Sequence, residues 1–165
     1  MRYSCSLLRI GMTDADRCAS QEDVMTKVAE VMTRGVQAIA PDDTIRRAAE
    51  LMDELNVGAL PVCDGVRLKG VVTDRDIMVR AISVGKDSSC AVQEVASEPV
   101  EWCFENDEIE DAMRRMERLQ IRRMPVVDSE KQLVGMLSLG DIAAWSDGEV
   151  ASTIGAISAP SVPDR

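Results

Sequence analysis

Two short elements carry side chains able to recognise a small polar ligand: Thr73-Asp74-Arg75-Asp76 and Ser138-Leu139-Gly140-Asp141. In each, a hydroxyl stands three residues ahead of a carboxylate. Read locally, that spacing is a helix capping box and needs no ligand. The same groups suit a second task, because a carboxylate accepts from two adjacent sugar hydroxyls and a helix start offers unpaired N–H groups and partial positive charge to a phosphate. Arg122 and Arg123 follow Arg114, Arg115 and Arg118, making a basic island. Arginine forks match phosphate oxygens; a solvated helix face with i,i+4 neighbours is the plainer alternative. On a strand, Arg122 and Arg123 would point to opposite faces, so one of the two is expected in a cleft.

Composition narrows what such groups can do. The 165 residues carry 19 basic and 29 acidic side chains, a net charge of −10. That argues against a nucleic-acid footprint or an anionic membrane surface as main partner, and any phosphate must bind locally. Histidine is absent, which removes the usual neutral-pH general base and the commonest zinc ligand. With no nucleophile–base pair in view either, the chain reads as non-enzymatic. The five cysteines, Cys5, Cys18, Cys63, Cys90 and Cys103, are odd in number and contain no CxxC pair, which points to reduced thiols and a cytoplasmic location. Cys63 and Cys103 are expected as buried, inert thiols. The apolar run near the N-terminus is broken by Arg9, so no export signal is read, and no stretch approaches the roughly 20 apolar residues of a membrane helix.

The elements that must position the two motifs form a repeat. An offset of 64 aligns Val31 with Val95, Asp43 with Asp107, Ile45 with Ile109, Met52 with Met116 and Pro61 with Pro125; one further residue in the next turn then aligns Gly70 with Gly135 and Asp76 with Asp141. In the first copy, Gln37 to Ala40 is a predicted strand, and Asp42 and Asp43 offer a cap to a helix through Ile45, Ala48, Met52 and Leu55. Ala59 to Cys63 and Leu68 to Val72 are predicted hairpin strands around Asp64-Gly65, with a helix from Asp74. The second copy repeats this: a strand near Val100 to Cys103, a helix carrying Ile109, Ala112, Met113, Met116 and Leu119, a hairpin from Met124 to Leu137, and a helix from Leu139. The fold class is therefore α+β, two β-α-β-β-α repeats packed as a pseudo-twofold pair, because one copy alone has too few residues for a large core. The domain limits read as 25–88 and 89–146, with an N-terminal extension over 1–24 and a small-residue, disordered tail over 147–165.

Both copies also share an apolar-Pro-Val stretch, Gly58-Ala59-Leu60-Pro61-Val62 and Arg123-Met124-Pro125-Val126, followed by Gly-x-x-[Thr/Ser]-x-x-Asp at Gly70 to Asp76 and Gly135 to Asp141. With this constellation the chain resembles a tandem pair of CBS domains, the Bateman module, of the stand-alone bacterial type, across Met25 to Ser146. The resemblance implies a regulatory adenine-nucleotide site (AMP, ADP, ATP or a related adenosyl ligand, with or without magnesium) in a cleft between the copies. It implies Asp76 and Asp141 on ribose hydroxyls, Thr73 and Ser138 on ribose or phosphate, and backbone beside Pro61 and Pro125 against the base. Leu60, Val62, Met124 and Val126 would supply apolar walls, core packing being their default, and Arg122 or Arg123 a phosphate clamp. No cofactor is required, and a homodimer reporting to an unidentified protein is implied. Trp102 and Trp145 would anchor that dimer or complete the core. The competing readings are a non-catalytic dimeric adaptor with vestigial clefts, suggested by the drift at Ala96 and Glu105 where the first copy has Met32 and Pro41, and the regulatory part of an inosine monophosphate dehydrogenase-like enzyme.

Overall fold

The computed structural model describes residues 25–145; the extension and tail expected over 1–24 and 147–165, with Cys5 and Cys18, lie outside the described residues. The chain opens with a short helix α1 (Val28–Val31) and strand β1 (Thr33–Arg34). The first copy continues with helix α2 (Ile45–Glu54), strands β2 (Ala59–Asp64) and β3 (Arg67–Thr73), and helix α3 (Asp74–Arg80). After two 3-10 turns come strand β4 (Cys103–Phe104), helix α4 (Ile109–Leu119), strands β5 (Arg123–Val127) and β6 (Leu133–Ser138), and helix α5 (Leu139–Trp145).

The helices follow from apolar spacing. Ile45, Ala48, Leu51 and Met52 are buried on α2, and Ile109, Ala112 and Met116 on α4, the 3.6-residue stripe of a helix with one face on a core. The expected cap at Asp42 or Asp43 is corrected. Thr44 is the N-cap, its Oγ1 accepting from Arg47 N–H at 3.1 Å, while Asp43 Oδ2 accepts from Ala40 N–H at 3.0 Å and so tightens the preceding turn. Two antiparallel hairpins, β2 with β3 and β5 with β6, carry an irregularity at the same place, after Val62 and after Val126. The strand expected over Gln37 to Ala40 reduces to a single parallel bridge from Ile39 to Val62. Its counterpart shifts to Cys103–Phe104, the residues that reach Val126 and Val127.

Sheet order reveals an exchange. The four-stranded sheet runs β1-β6-β5-β4, so β1, from the start of the chain, pairs with the second copy's hairpin through Thr33 to Met136 and Arg34 to Gly135. On the other side Ser97 bridges Val71 of β3, giving the same order of Ser97, β3, β2 and Ile39. The segment that opens each copy therefore packs on the other. Val28 N–H donates to Asp107 C=O at 3.0 Å and Val92 N–H to Asp43 C=O at 2.8 Å; Ala29 N–H to Glu105 C=O at 2.9 Å matches Gln93 N–H to Pro41 C=O at 3.0 Å. Val28 and Met32 belong to the core of Met116, Met124, Leu137 and Ile142, whereas Val92 and Val95 belong to that of Ile45, Leu60, Val72 and Ile77. Val28 and Val92 are both 0% exposed, each burial contributing about 1.5–3 kcal/mol to holding the exchange.

Candidate functional site

Between the copies lies a cleft of about 730 Å³, within the range of small-ligand sites. The first copy supplies Gly58 and Ala59 at the entry to β2, Val71 and Thr73 on β3, and Asp74, Arg75 and Asp76 from the start of α3; the second supplies Gln120 to Arg123 and Pro125, and the connecting segment Ser97, Pro99, Val100 and Glu101. Gln120 adopts a left-handed φ of 53°, ending α4 and turning the chain along the cleft. Gly58 makes the close approach possible, since a Cβ there would lie 3.0 Å from Asp74 Oδ2 and 3.7 Å from Arg123 Nη1.

Of the residues singled out in the sequence, Thr73, Asp76, Arg122, Arg123 and Pro125 come together in this cleft. That both arginines line it corrects the expectation of one: β5 begins at Arg123, so Arg122 lies outside the strand and escapes its alternation. Neither takes part in an ion pair among the described residues. The rest of the basic island does other work. Arg114 pairs with Asp111, and Arg115 donates to the Trp102 carbonyl at 2.8 Å and faces Asp107 at 4.0 Å. Leu60 and Val62, two apart on β2, and Met124 and Val126, two apart on β5, are 0–1% exposed and packed in the two cores, the inward face of each strand; Pro61 is buried as well, and none of the five lines the cleft.

Asp76 holds the capping box expected of it: Oδ2 accepts from Thr73 N–H at 3.0 Å and from the Thr73 hydroxyl at 2.6 Å, while Asp76 N–H donates to Thr73 Oγ1 at 3.0 Å. Oδ1 takes no part in the cap and has Arg80 Nε at 3.5 Å. Arg80 also donates to the carbonyls of Val95 and Ala96, at 3.0 and 3.3 Å, and to Ser97 Oγ at 3.2 Å. Ser138 and Asp141 form the matching box outside this cleft, with Ser138 N–H and Oγ at 2.8 and 2.6 Å from Asp141 Oδ2; there the Thr33 hydroxyl donates to Asp141 Oδ1 at 2.9 Å. In both copies one carboxylate oxygen caps the helix and the other is left for a second donor. Arg80, Thr33 and Ser97 were missed by sequence reasoning. The i,i+4 spacing from Asp76 to Arg80 and the hydroxyl shared by Thr33 and Ser97 at the repeat offset were the available signals.

Cys63 and Cys103 are buried, and loss of solvent pushes both thiols up, Cys103 to about 12 with Asp107 adding to the effect. Both stay protonated and unreactive at neutral pH. No helix among the described residues is long and apolar enough to cross a membrane.

Two exchanged α+β repeats enclosing a polar cleft define a paired-repeat module. Residues 28–82 and 92–148 each match the CBS domain, and the chain belongs to the CBS domain family as a tandem pair. It is 44% identical over 119 residues to the CBS domain-containing protein YhcV of Bacillus subtilis (strain 168), spanning 72% of this chain and 84% of that one. It resembles hypoxic response protein I, solved with two coordinated zinc ions, at a TM-score of 0.68 and 34% identity, covering 73% of this chain and 99% of that one. Similar too is CBSX2, solved in complex with AMP, at a TM-score of 0.65 and 28% identity over 72% of this chain and 93% of that one. The chain has no histidine, and among the described residues no group of three or more His, Cys, Asp or Glu side chains is placed to hold a metal.

Proposed function

We propose that this chain is a non-catalytic regulatory module that senses an adenine nucleotide or related adenosyl ligand between its CBS repeats and passes the change to a partner protein in a reducing, cytoplasmic setting. The observation that carries this reading is the convergence of Thr73 and Asp76 from one copy with Arg122 and Arg123 from the other in one cleft. A carboxylate oxygen outside its cap suits ribose hydroxyls, and two guanidinium groups without an ion pair among the described residues suit phosphate. The AMP bound by CBSX2 supports the ligand class. Asp141 with Ser138 and Thr33 would serve a second, related cleft. A ligand acts as a signal only as far as it prefers one arrangement of the two copies.

A homodimer fits the same module. Met78, Val79, Ile82 and Val84 are 58, 53, 49 and 66% exposed on and just after α3, and Trp145 is 41% exposed on α5. This apolar surface also favours a second reading, an adaptor whose surface is the working part and whose clefts are vestigial.

Thermal unfolding with AMP, ADP, ATP, S-adenosylmethionine, NAD and GTP, each with and without magnesium, separates the two, because a ligand that binds the folded state raises its stability. A dose-dependent rise with an adenosyl ligand, lost in the Asp76→Asn/Asp141→Asn double variant, is expected. No rise with any of them at millimolar concentration sinks the sensor reading.

A further inference from the structure

A second, smaller cleft of about 440 Å³ adjoins the first, and Pro99 and Val100 line both. Its polar lining is one-sided: Arg67, Lys69 and Lys131 face it, and no carboxylate does, in a chain whose net charge is −10. None of the three cations is in an ion pair among the described residues. Lys131 is held instead by its Nζ lying 5.7 Å from the Trp102 ring centre, a cation–π contact, and Trp102 is itself braced edge-to-face by Phe104 at 4.9 Å. Three like charges around one concavity repel each other, and a multivalent anion entering it converts that repulsion into attraction.

The strand beneath explains why the two clefts align. Val71 and Thr73 of β3 line the larger cleft, and Arg67, Leu68 and Lys69 the smaller, where the register with β2 shifts and leaves Lys69 without a paired residue on that strand. At about 3.3 Å per residue the strand runs roughly 20 Å from Thr73 to Arg67. We infer that the smaller cleft is an anion compartment taking a phosphate or polyphosphate group, either free or as the phosphates of a nucleotide laid along β3. The recognition rests on charge and shape in this compartment and does not require the nucleotide reading of the larger cleft.

The test is calorimetric titration of the full chain with inorganic pyrophosphate and, separately, ATP, at low and physiological salt. The parent is compared with Arg67→Gln/Lys69→Gln/Lys131→Gln and with a surface control on α4 that lines neither cleft, Arg114→Gln/Arg118→Gln, each checked for parental thermal unfolding without ligand. The triple variant is expected to lose at least tenfold in pyrophosphate affinity while the control keeps it, with weaker binding at higher salt; that outcome assigns a free polyphosphate. A tenfold loss for ATP alone assigns the phosphates of a nucleotide. A parent that binds neither probe, a triple variant that matches the parent, or a loss seen only in the control overturns the inference; a parent that takes AMP but behaves in one of these ways leaves the larger cleft's function standing.

Discussion

The two openings of this chain, residues 27–34 and 91–98, make the same backbone connections to the opposite copy but are fastened by different side chains. The second opening is held by Arg80, which reaches the carbonyls of Val95 and Ala96 and the hydroxyl of Ser97 while lying beside Asp76. Trp145 stands at the matching position of the second copy and is 41% exposed. The first opening is held by the Thr33 hydroxyl on Asp141 and by an Arg34–Glu105 ion pair at 3.3 Å. What repeats is the main-chain frame; the side chains on it have diverged. Asp76 thus has the Arg80 cation at its flank and Asp141 a neutral hydroxyl, so the two aspartates sit in different electrostatic surroundings.

Gly70 and Gly135, matched in the repeat, should split this comparison most widely. A Cβ at Gly135 would sit 2.5 Å from the Thr33 carbonyl oxygen, whereas one at Gly70 would sit 3.1 Å from that of Ser97. The first clash is with backbone and is relieved only by moving β1. Gly135→Ala is expected to cost about 3 kcal/mol and Gly70→Ala about 1 kcal/mol, read by urea unfolding; equal costs would mean that both openings yield alike.

The cores should separate at high pH. Cys103 occupies the place that Ile39 holds in the first core, and its thiol is pushed from 9.0 to about 12. Between those values the unfolded chain has released a proton that the folded chain keeps. The contribution of this group is therefore complete below about pH 9 and is lost as pH rises toward 12, at a limiting slope of roughly 1.4 kcal/mol per pH unit. Unfolding followed from pH 8 to 11 should show a shallower alkaline decline in Cys103→Ala than in the parent; parallel curves would remove the thiol from the account.

Arg80→Gln comes next, at about 1–1.5 kcal/mol for lost bonds to carbonyls and a hydroxyl, and Thr33→Val last, at about 0.5–1 kcal/mol. In hydrogen exchange each should loosen its own opening, 91–98 for Arg80 and 27–34 for Thr33. Loosening of both openings by either variant would show that the fasteners act through the whole frame.

Most of the frame was legible in the sequence. Ile45, Ala48 and Met52 and their counterparts marked helices by spacing alone, Asp64-Gly65 marked a hairpin, and the matched Thr73/Asp76 and Ser138/Asp141 pairs marked helix starts that the structure caps as expected. The exchange was not legible, because identical copies satisfy the same pattern whether Val28 folds onto its own hairpin or onto the other. Nor was the place of Arg122 in the cleft, which depends on β5 beginning one residue later; the core packing of Leu60 and Met124, by contrast, was the default reading of their apolar side chains. Thr44 won the cap from Asp43 because Asp43 is engaged by Ala40 N–H.

The exchange also sets a timetable for synthesis. A chain emerging from its N-terminus shows Val28 and Met32 well before their neighbours Met124, Leu137 and Ile142 are made. The first hairpin is complete at Thr73, but its core stays open until Val92 and Val95 follow. Each core is completed only by residues of the other copy's opening, so completing both needs contacts across long sequence separations, which slow folding. Until then α1 must be kept from other apolar surfaces, its partner still unmade.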